Sequence, residues 1–265
     1  MSGKERIAKR GQVADDGWVR AKPQFGEGLG ARVSAGIIGL ATDRIGVWDF
    51  EAFLRPLSDV HVFSTRIPMS PVATPKSLKA LGKHIGKGAE LLVPGSRLDV
   101  VAFSCTSGTV AVGLDAVHEA IRAVRPGVHV TTPIEAGAKG LRRLGARRIS
   151  LLTPYLPATA DLIAGYFEDN GFDVLSRSTF DLGGDPDMNR LSGPALIRAA
   201  RAVLDRKAEA LFLSCTGLRT SGVVQKIEDA IGVPVVTSNQ ALAWDSLRVA
   251  GDTRKVPGQG KLFRL

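Results

Sequence analysis

The chain has 265 residues, 44% of them hydrophobic and 23% charged, a composition that fits a globular protein with a sizeable core rather than a disordered or fibrous chain. Lysines and arginines number 35 against 26 aspartates and glutamates, so the formal net charge is +9. No stretch of eighteen apolar residues occurs, which excludes a membrane-spanning helix, and no nucleic-acid-reading motif accompanies the basic residues.

The first thirty residues lack apolar periodicity and contain six glycines, so residues 1–30 are predicted to form a flexible lead-in. This segment is basic but has no apolar stretch of the kind found in secretory signals. With only two cysteines in the chain, we expect a cytoplasmic protein without a disulfide. The basic ends are interpreted as solvated arms, and nucleic acid is not expected as a partner.

Apolar strands alternate with helical stretches from residue 33 onward. In the first half, strands are predicted at 33–40, 60–66, 98–104 and 128–131. Thr74 and Pro75 form an N-cap and first helical position, which predicts a helix from 74 to about 92. A second helix is predicted after the third strand, extending to about Val124. Short apolar strands that alternate with helices favour parallel sheets covered on both faces.

The same alternation begins again in the second half of the chain. Strands are predicted at 148–153, 172–176, 208–214 and 233–237, and helices at 159–171, 194–207, 219–230 and 240–249. Thr159 is interpreted as the N-cap of the first of these helices. The sequence therefore predicts an α/β protein throughout.

The two halves also share a motif. Each contains an apolar strand that ends in Ser-Cys-Thr, at residues 104–106 and again at 214–216. A second pair of similar segments, 127–132 and 232–237, follows in the same order. Two repeated segments in one order indicate a duplicated α/β lobe, and the only two cysteines of the chain occupy matching positions in it.

Cys105 and Cys215 are the candidate catalytic residues. Ligands of open α/β sheets bind beyond the carboxyl ends of the strands, and both cysteines lie at such ends, just before a helix. Free amide groups at a helix N-terminus favour a thiolate and can hold a carboxylate or enolate oxygen. Small polar neighbours suit such a cradle: Thr106, Ser107, Gly108, Thr216 and Gly217.

Two reactions remain open if the lobes face each other about a pseudo-twofold axis. A thiolate and a thiol on opposite sides of one substrate can remove a proton from one face and return it to the other, which is racemisation or epimerisation. Alternatively, one thiolate adds to a double bond while the other cysteine protonates the neighbouring carbon, giving cis–trans isomerisation. Neither route uses a metal or an organic cofactor, so none is predicted.

Other polar residues give no competing site. The four histidines lack the spacing of metal ligands, and no phosphate-binding loop occurs. Residues 183–186 (Gly-Gly-Asp-Pro) are interpreted as a turn.

The two cysteine segments resemble those of the aspartate/glutamate racemase superfamily, in particular the branch of maleate cis–trans isomerases and arylmalonate decarboxylases. Residues 232–244 (GVPVVTSNQALAW) and 257–263 (PGQGKLF) are similar to the same branch. The ectoine-utilisation protein A subgroup looks most similar, through residues 40–43 (LATD), 66–68 (RIP) and 152–155 (LTPY).

This resemblance implies two Rossmann-like lobes with parallel sheets, related by a pseudo-twofold axis, as in the Asp/Glu racemase fold. The first lobe is expected to comprise residues 31–132 plus 240–265 and the second residues 133–239, with the active site between them. The resemblance casts Cys105 as nucleophile and Cys215 as acid/base, and it implies that Tyr155 binds a substrate carboxylate.

One position departs from the family pattern. The first-strand loop contains Thr42 and Asp43, both predicted to bind substrate, where maleate isomerases have an asparagine. Asp43 is expected either to disfavour a dicarboxylate or to bind a substrate ammonium group, unless it serves as a turn or N-cap residue. Decarboxylases of this branch lack the first cysteine, so the presence of Cys105 argues against decarboxylation.

The sequence thus predicts a cofactor-independent isomerase or racemase that acts beside the carboxylate of a small acid or amino acid, in ectoine or hydroxyectoine catabolism. Maleate cis–trans isomerase is one alternative. A non-catalytic module that binds a ligand or nucleic acid is another, from a different class. The predicted partner is a small carboxylate and not a membrane, and a homo-oligomer is left open.

Overall fold

The computed structural model describes residues 16–265, which form two four-stranded parallel sheets connected by helices. The first sheet has the strand order β2-β1-β3-β4. Its elements are β1 (Val33–Leu40), α1 (Gly46–Leu54), β2 (Val60–Ile67), α2 (Pro75–Lys79), α3 (Gly82–Glu90), β3 (Val100–Phe103), α4 (Thr106–Val112), α5 (Leu114–Arg122), β4 (His129–Thr131) and α6 (Pro133–Arg143).

The second sheet has the corresponding order, β6-β5-β7-β8, so the duplication predicted from the sequence is present in the topology. Its elements are β5 (Arg148–Tyr155), α7 (Pro157–Asp169), β6 (Asp173–Leu182), α8 (Asp185–Met188), α9 (Gly193–Val203), β7 (Ala210–Leu213), α10 (Val224–Ile231), β8 (Val235–Thr237) and α11 (Ser238–Val249), followed by a 3₁₀ turn at Leu262–Arg264. Within residues 16–265, no helix combines the length and apolarity that a membrane crossing requires.

The central strands β1, β3 and β7 are buried along their whole length, which is why they read as continuous apolar runs in the sequence. The last helix, α11, is buried from residue 238 to 247 and contacts α1 and α6 as well as strands of both sheets. It therefore connects the two halves of the molecule, and the lobe boundaries given above stay a prediction.

Several predicted helix ends are wrong, for local reasons. The helix predicted from 74 to 92 is divided into α2 and α3, because the amides of Leu81 and His84 bond only three residues back, to the carbonyls of Leu78 and Leu81. The helix predicted after β3 is divided at Gly113, whose φ of 99° cannot continue a helix. Strand β6 continues to Leu182, beyond the predicted end at residue 176.

Two further differences reflect contacts between the halves. Helix α7 begins at Pro157, so Thr159 lies inside it and is not its N-cap. The Thr159 hydroxyl instead donates to the Ala73 carbonyl, 3.1 Å away. The helix predicted from Arg219 begins only at Val224. The predicted lead-in lies partly outside the described residues, and its described part, 16–30, forms no helix or sheet strand.

The buried carboxylate of Asp49, on α1, fixes the loop before α10. It accepts hydrogen bonds from the Thr220 amide (2.9 Å), the Thr220 hydroxyl (2.6 Å) and the Ser221 amide (3.0 Å). It also accepts one from the Asn239 side chain on α11, at 2.9 Å. Because these donors belong to the second half of the chain, Asp49 joins the two halves close to the end of β7.

Candidate active site

Cys105 follows the buried strand β3 and caps the N-terminus of α4. Its backbone is extended, with φ −155° and ψ 110°, and its sulfur accepts the Gly108 amide at 3.2 Å. A side chain built on Gly108 would lie 2.7 Å from this sulfur, so the glycine leaves room for the thiol. The thiol therefore sits where the amides of a helix N-terminus converge.

Cys215 follows the corresponding strand β7 but has a different backbone. Its φ is 105°, a conformation that residues with a side chain rarely adopt and that is often found at functional sites. The sulfur accepts the Gly217 amide at 3.3 Å, and the Cys215 amide donates to the Ser238 hydroxyl at 2.9 Å. These bonds hold the cysteine in its unusual conformation.

The two cysteines line one narrow cavity between the halves of the molecule, and their residues are only 4% and 5% exposed. Four of the residues predicted to bind substrate line it as well. The complete lining is Leu40, Met69, Ala73, Leu78, Cys105, Thr106, Ser107, Tyr155, Asp185, Met188, Cys215 and Thr216. The structure thus brings the two Ser-Cys-Thr segments and Tyr155 together around one space.

The other three predicted binding residues, Thr42, Asp43 and Gly217, are not among the residues that line this cavity. Thr42 donates its hydroxyl to the Asp185 carboxylate. Asp43 accepts the amides of Ile45 (2.7 Å) and Gly46 (3.1 Å) just before and at the start of α1, so it has the turn role that its sequence position allowed, while Ile45 is the N-cap residue of the helix. Gly217 contributes its amide to the Cys215 sulfur rather than to the cavity.

Asp185 is a cavity residue that sequence reasoning missed. The composition of 183–186 indicates a turn, whereas Asp185 begins the short helix α8, three residues after the end of β6. Burial raises the pKa of this carboxyl to about 6, and the nearby negative charge of Asp43 adds to the rise, while the Thr42 hydrogen bond opposes it. The strand predicted from the sequence ends at residue 176, and only its observed continuation to Leu182 brings a strand end close to Asp185.

Burial opposes the thiolate form that the helix N-termini favour. Burial raises the pKa of Cys105 to about 12, against the lowering effect of the Gly108 amide and with a further rise from the Asp185 charge. The pKa of Cys215 is also raised well above its ordinary value, by burial first and then by Asp185 and Asp43. For both cysteines the loss of solvation therefore outweighs the effect of the nearby helix amide on the pKa.

Ser238, the first residue of α11, connects the two cysteine segments and was also missed. Its hydroxyl oxygen accepts the Thr106 hydroxyl at 2.8 Å and the Cys215 amide at 2.9 Å. The sequence predicts that this helix begins at Gln240, which places Ser238 in the preceding loop. In the structure Thr237 caps the helix, so Ser238 is directed toward the cavity lining.

The loop between β2 and α2 covers the cavity by reaching across to the second half. The Ala73 amide donates to the Gly183 carbonyl at 2.9 Å, and the Ala73 carbonyl accepts the Thr159 hydroxyl. Gly184 packs directly against the backbone carbonyl of Pro71, which leaves no room for a side chain. Met69 and Ala73, from this covering loop, form part of the cavity wall.

Gly184→Ala is expected to displace the covering loop, because the new Cβ would overlap the Pro71 carbonyl oxygen. Alkylation of the two cysteines by iodoacetamide should then be accelerated about 10-fold, since local opening exposes the buried thiols. Gly183→Ala is the matched control, because a Cβ at Gly183 meets no atom within 4 Å. Equal alkylation rates in the two variants would show that Gly184 does not hold the loop in place.

The sequence is similar to a known protein family and to enzymes of known activity. Residues 85–263 match the protein family described as arylmalonate decarboxylase. An arylmalonate decarboxylase from Bordetella bronchiseptica is 34% identical over 142 residues, which cover 52% of this chain and 58% of that protein. A maleate isomerase from Nocardia farcinica is 27% identical over 218 residues, covering 79% of this chain and 86% of that protein.

Solved structures show the same fold. One is the maleate cis–trans isomerase of Nocardia farcinica, solved as a cysteine-to-serine mutant with a covalently bound succinylcysteine intermediate. It superposes with a TM-score of 0.81 at 23% identity, and the match covers 88% of this chain and 98% of that chain. A double mutant of arylmalonate decarboxylase in the liganded form gives a TM-score of 0.76 at 27% identity, covering 87% and 98%.

Proposed function

Because the chain belongs to the arylmalonate decarboxylase family, we propose that it is a cofactor-independent isomerase or racemase acting beside the carboxylate of a small acid. One observation carries the proposal: Cys105 and Cys215, at the ends of corresponding strands, line the same buried cavity. A single cysteine would suffice to protonate a carbanion after decarboxylation from one side. A second thiol in the same cavity can act on the opposite face of the same substrate carbon, as racemisation requires, or on a neighbouring substrate carbon, as cis–trans isomerisation requires.

In the racemase form of the proposal, one cysteine first releases its thiol proton to solvent, and the resulting thiolate then removes the hydrogen from the carbon beside the carboxylate. The electron pair of the broken C–H bond moves into the carboxylate, giving an enediolate. The hydroxyls of Thr106, Ser107 and Thr216, which line the cavity, are suited to hold its oxygens. The other thiol then returns a proton to the opposite face, so that the thiolate ends on the second cysteine.

Cis–trans isomerisation is the second candidate, favoured by the similarity to maleate isomerases. Here the Cys105 thiolate forms a C–S bond with one alkene carbon, and Cys215 protonates the other carbon. Rotation about the resulting single bond follows. Cys215 then takes the proton back, and the C–S bond breaks to restore the thiolate and the double bond.

A metabolic setting in ectoine or hydroxyectoine breakdown is the finer part of the proposal. Its support is the resemblance of residues 40–43, 66–68 and 152–155 to the ectoine-utilisation subgroup. Genes neighbouring the one that encodes this chain test it: an ectoine hydrolase gene nearby supports the setting, and a locus without one removes its support.

Proton NMR in deuterium oxide distinguishes the reactions. The panel consists of maleate, aspartate, 3-hydroxyaspartate and 2,4-diaminobutyrate, with phenylmalonate to detect decarboxylation. Racemisation introduces deuterium at the carbon beside the carboxylate together with loss of optical activity, whereas isomerisation changes the alkene signals. Release of carbon dioxide from phenylmalonate, with no turnover of the other acids, would contradict the proposal in favour of a decarboxylase.

A further inference from the structure

We infer that the substrate carries a cationic nitrogen in addition to its carboxylate, and that Asp185 binds this nitrogen inside the cavity lined by Cys105 and Cys215. The inference rests on the proposed function and narrows it to amino acids and related zwitterions. It begins from the placement of Asp185, whose side chain lines the same cavity as both thiols.

The Asp185 carboxylate lacks a positively charged partner. Its one side-chain hydrogen bond comes from the neutral hydroxyl of Thr42. Among residues 16–265, no lysine, arginine or histidine nitrogen lies within salt-bridge distance of it. The Arg66 guanidinium is bound to the backbone carbonyls of Leu40 and Asp43 instead. The half-buried Asp185 carboxylate is therefore available at pH 7 to pair with a cationic group of a bound ligand.

Asp43 strengthens the preference for a cation. Its carboxylate lies behind the cavity wall, where it accepts the Thr216 hydroxyl at 3.4 Å, and its charge raises the pKa of Asp185. A dicarboxylate bound here would bring two further negative charges toward two carboxylates. A zwitterion brings one carboxylate, for the hydroxyls beside the cysteines, and one cation, for Asp185.

A cation at Asp185 also explains how a buried thiol becomes a base. The Asp185 charge is one of the causes that raise the pKa of Cys105 and of Cys215. When a substrate ammonium group neutralises that charge, this contribution disappears, and the pKa of both thiols falls. The cysteines then ionise more readily with substrate present than in the empty cavity.

The groove outside the cavity has the opposite charge. Arg44, Arg190 and Arg219 line it, together with Thr42, which contacts Asp185 from that side. Positive side chains at the groove attract a substrate carboxylate, while the carboxylate inside attracts a cation. This pairing of charges suits a molecule that carries both.

The test compares Asp185→Asn with Asp187→Asn, a matched control two residues further along α8. Asp187 is 67% exposed and forms only a 3.9 Å contact with Arg190. We expect Asp185→Asn to lower kcat/KM for 2,4-diaminobutyrate about 10- to 100-fold, the range for loss of a charge-assisted hydrogen bond. Asp185→Asn should turn over or bind maleate at least as well as the unaltered protein does. Asp187→Asn should leave kcat/KM and affinity unchanged for both maleate and 2,4-diaminobutyrate.

Equilibrium binding gives the same comparison where turnover is slow. Isothermal titration calorimetry with 2,4-diaminobutyrate should show affinity that falls as the pH drops through about 6, where the Asp185 carboxyl takes up its proton. The titratable groups around it are Asp43, Tyr155 and the two thiols, of which Asp43 alone is another carboxyl group, while Arg44 and Arg190 line the groove beyond Thr42. In Asp185→Asn this pH dependence should disappear.

An equal loss for maleate and 2,4-diaminobutyrate in Asp185→Asn would overturn the inference, because a purely structural role affects both ligands alike. A preference of the unaltered protein for maleate would overturn it as well. The proposed function fails separately, if cysteine variants retain full turnover. If the cysteine variants are inactive but Asp185→Asn keeps the same preference for 2,4-diaminobutyrate over maleate, the proposed function stands and only the inference about Asp185 is rejected.

Discussion

Serine in place of either Cys105 or Cys215 is expected to lower kcat at least about 10³-fold while leaving the fold intact. A serine hydroxyl is nearly the size of the thiol but far less acidic, so it neither removes a carbon-bound proton nor adds to a double bond at a comparable rate. Each serine can still accept the amide that now bonds to sulfur, from Gly108 or Gly217. Stability should therefore change little.

Single variants should also separate the two faces of the substrate. With one cysteine left, a racemase retains exchange of the hydrogen on the face that this cysteine contacts, and loses inversion. Ser104→Ala is the control, because Ser104 is buried one residue before Cys105 and its hydroxyl has no hydrogen-bond partner. Full turnover in Cys105→Ser or in Cys215→Ser would reject a mechanism that uses both sulfur atoms.

Asp49→Ala is expected to reduce the free energy of unfolding by at least about 3 kcal/mol, measured by urea denaturation. The substitution leaves the amides of Thr220 and Ser221 without their acceptor, while the Asn239 side chain keeps the carbonyls of Thr216 and Leu218. These donors are buried or nearly so, and an unsatisfied buried donor costs about 1–3 kcal/mol.

Activity should fall in the same variant. Asn239 also donates to the Thr216 carbonyl, at 2.9 Å, so loosening Asn239 disturbs a residue of the cavity wall. Asp161→Ala is the matched control, since Asp161 is 71% exposed and lies 3.8 Å from Arg177 in a surface pair that contributes little. A similar loss of stability in both variants would show that the buried network around Asp49 is unimportant.

The fold and the cysteine pair could be predicted because their signals are local. Buried parallel strands such as β3 and β7 are short apolar runs, and the Ser-Cys-Thr segments mark the carboxyl ends of both. Parallel topology then brings strand ends to one edge of each sheet. The repeated Ser-Cys-Thr segment further predicts that the carboxyl ends of two strands, one from each half of the chain, face one cavity.

The rest of the site depends on contacts between distant residues. Asp185 stands in a Gly-Gly-Asp-Pro segment that has the composition of a turn, and only the folded chain shows that it lines the cysteine cavity. Ser238 is equally inconspicuous until α11 is seen to begin beside the two cysteine segments. Burial dominates the pKa of both thiols, and it likewise cannot be read from neighbouring residues.

The most direct measurement is the rate at which a small thiol reagent, methyl methanethiosulfonate, modifies each cysteine as the substrate concentration rises. The ligand is 2,4-diaminobutyrate, or whichever acid of the panel is turned over, and peptide mass spectrometry follows Cys105 and Cys215 separately. If one molecule lies between both sulfur atoms, both cysteines are protected with the same half-saturating concentration. Protection of only one cysteine, or of neither, would contradict this arrangement.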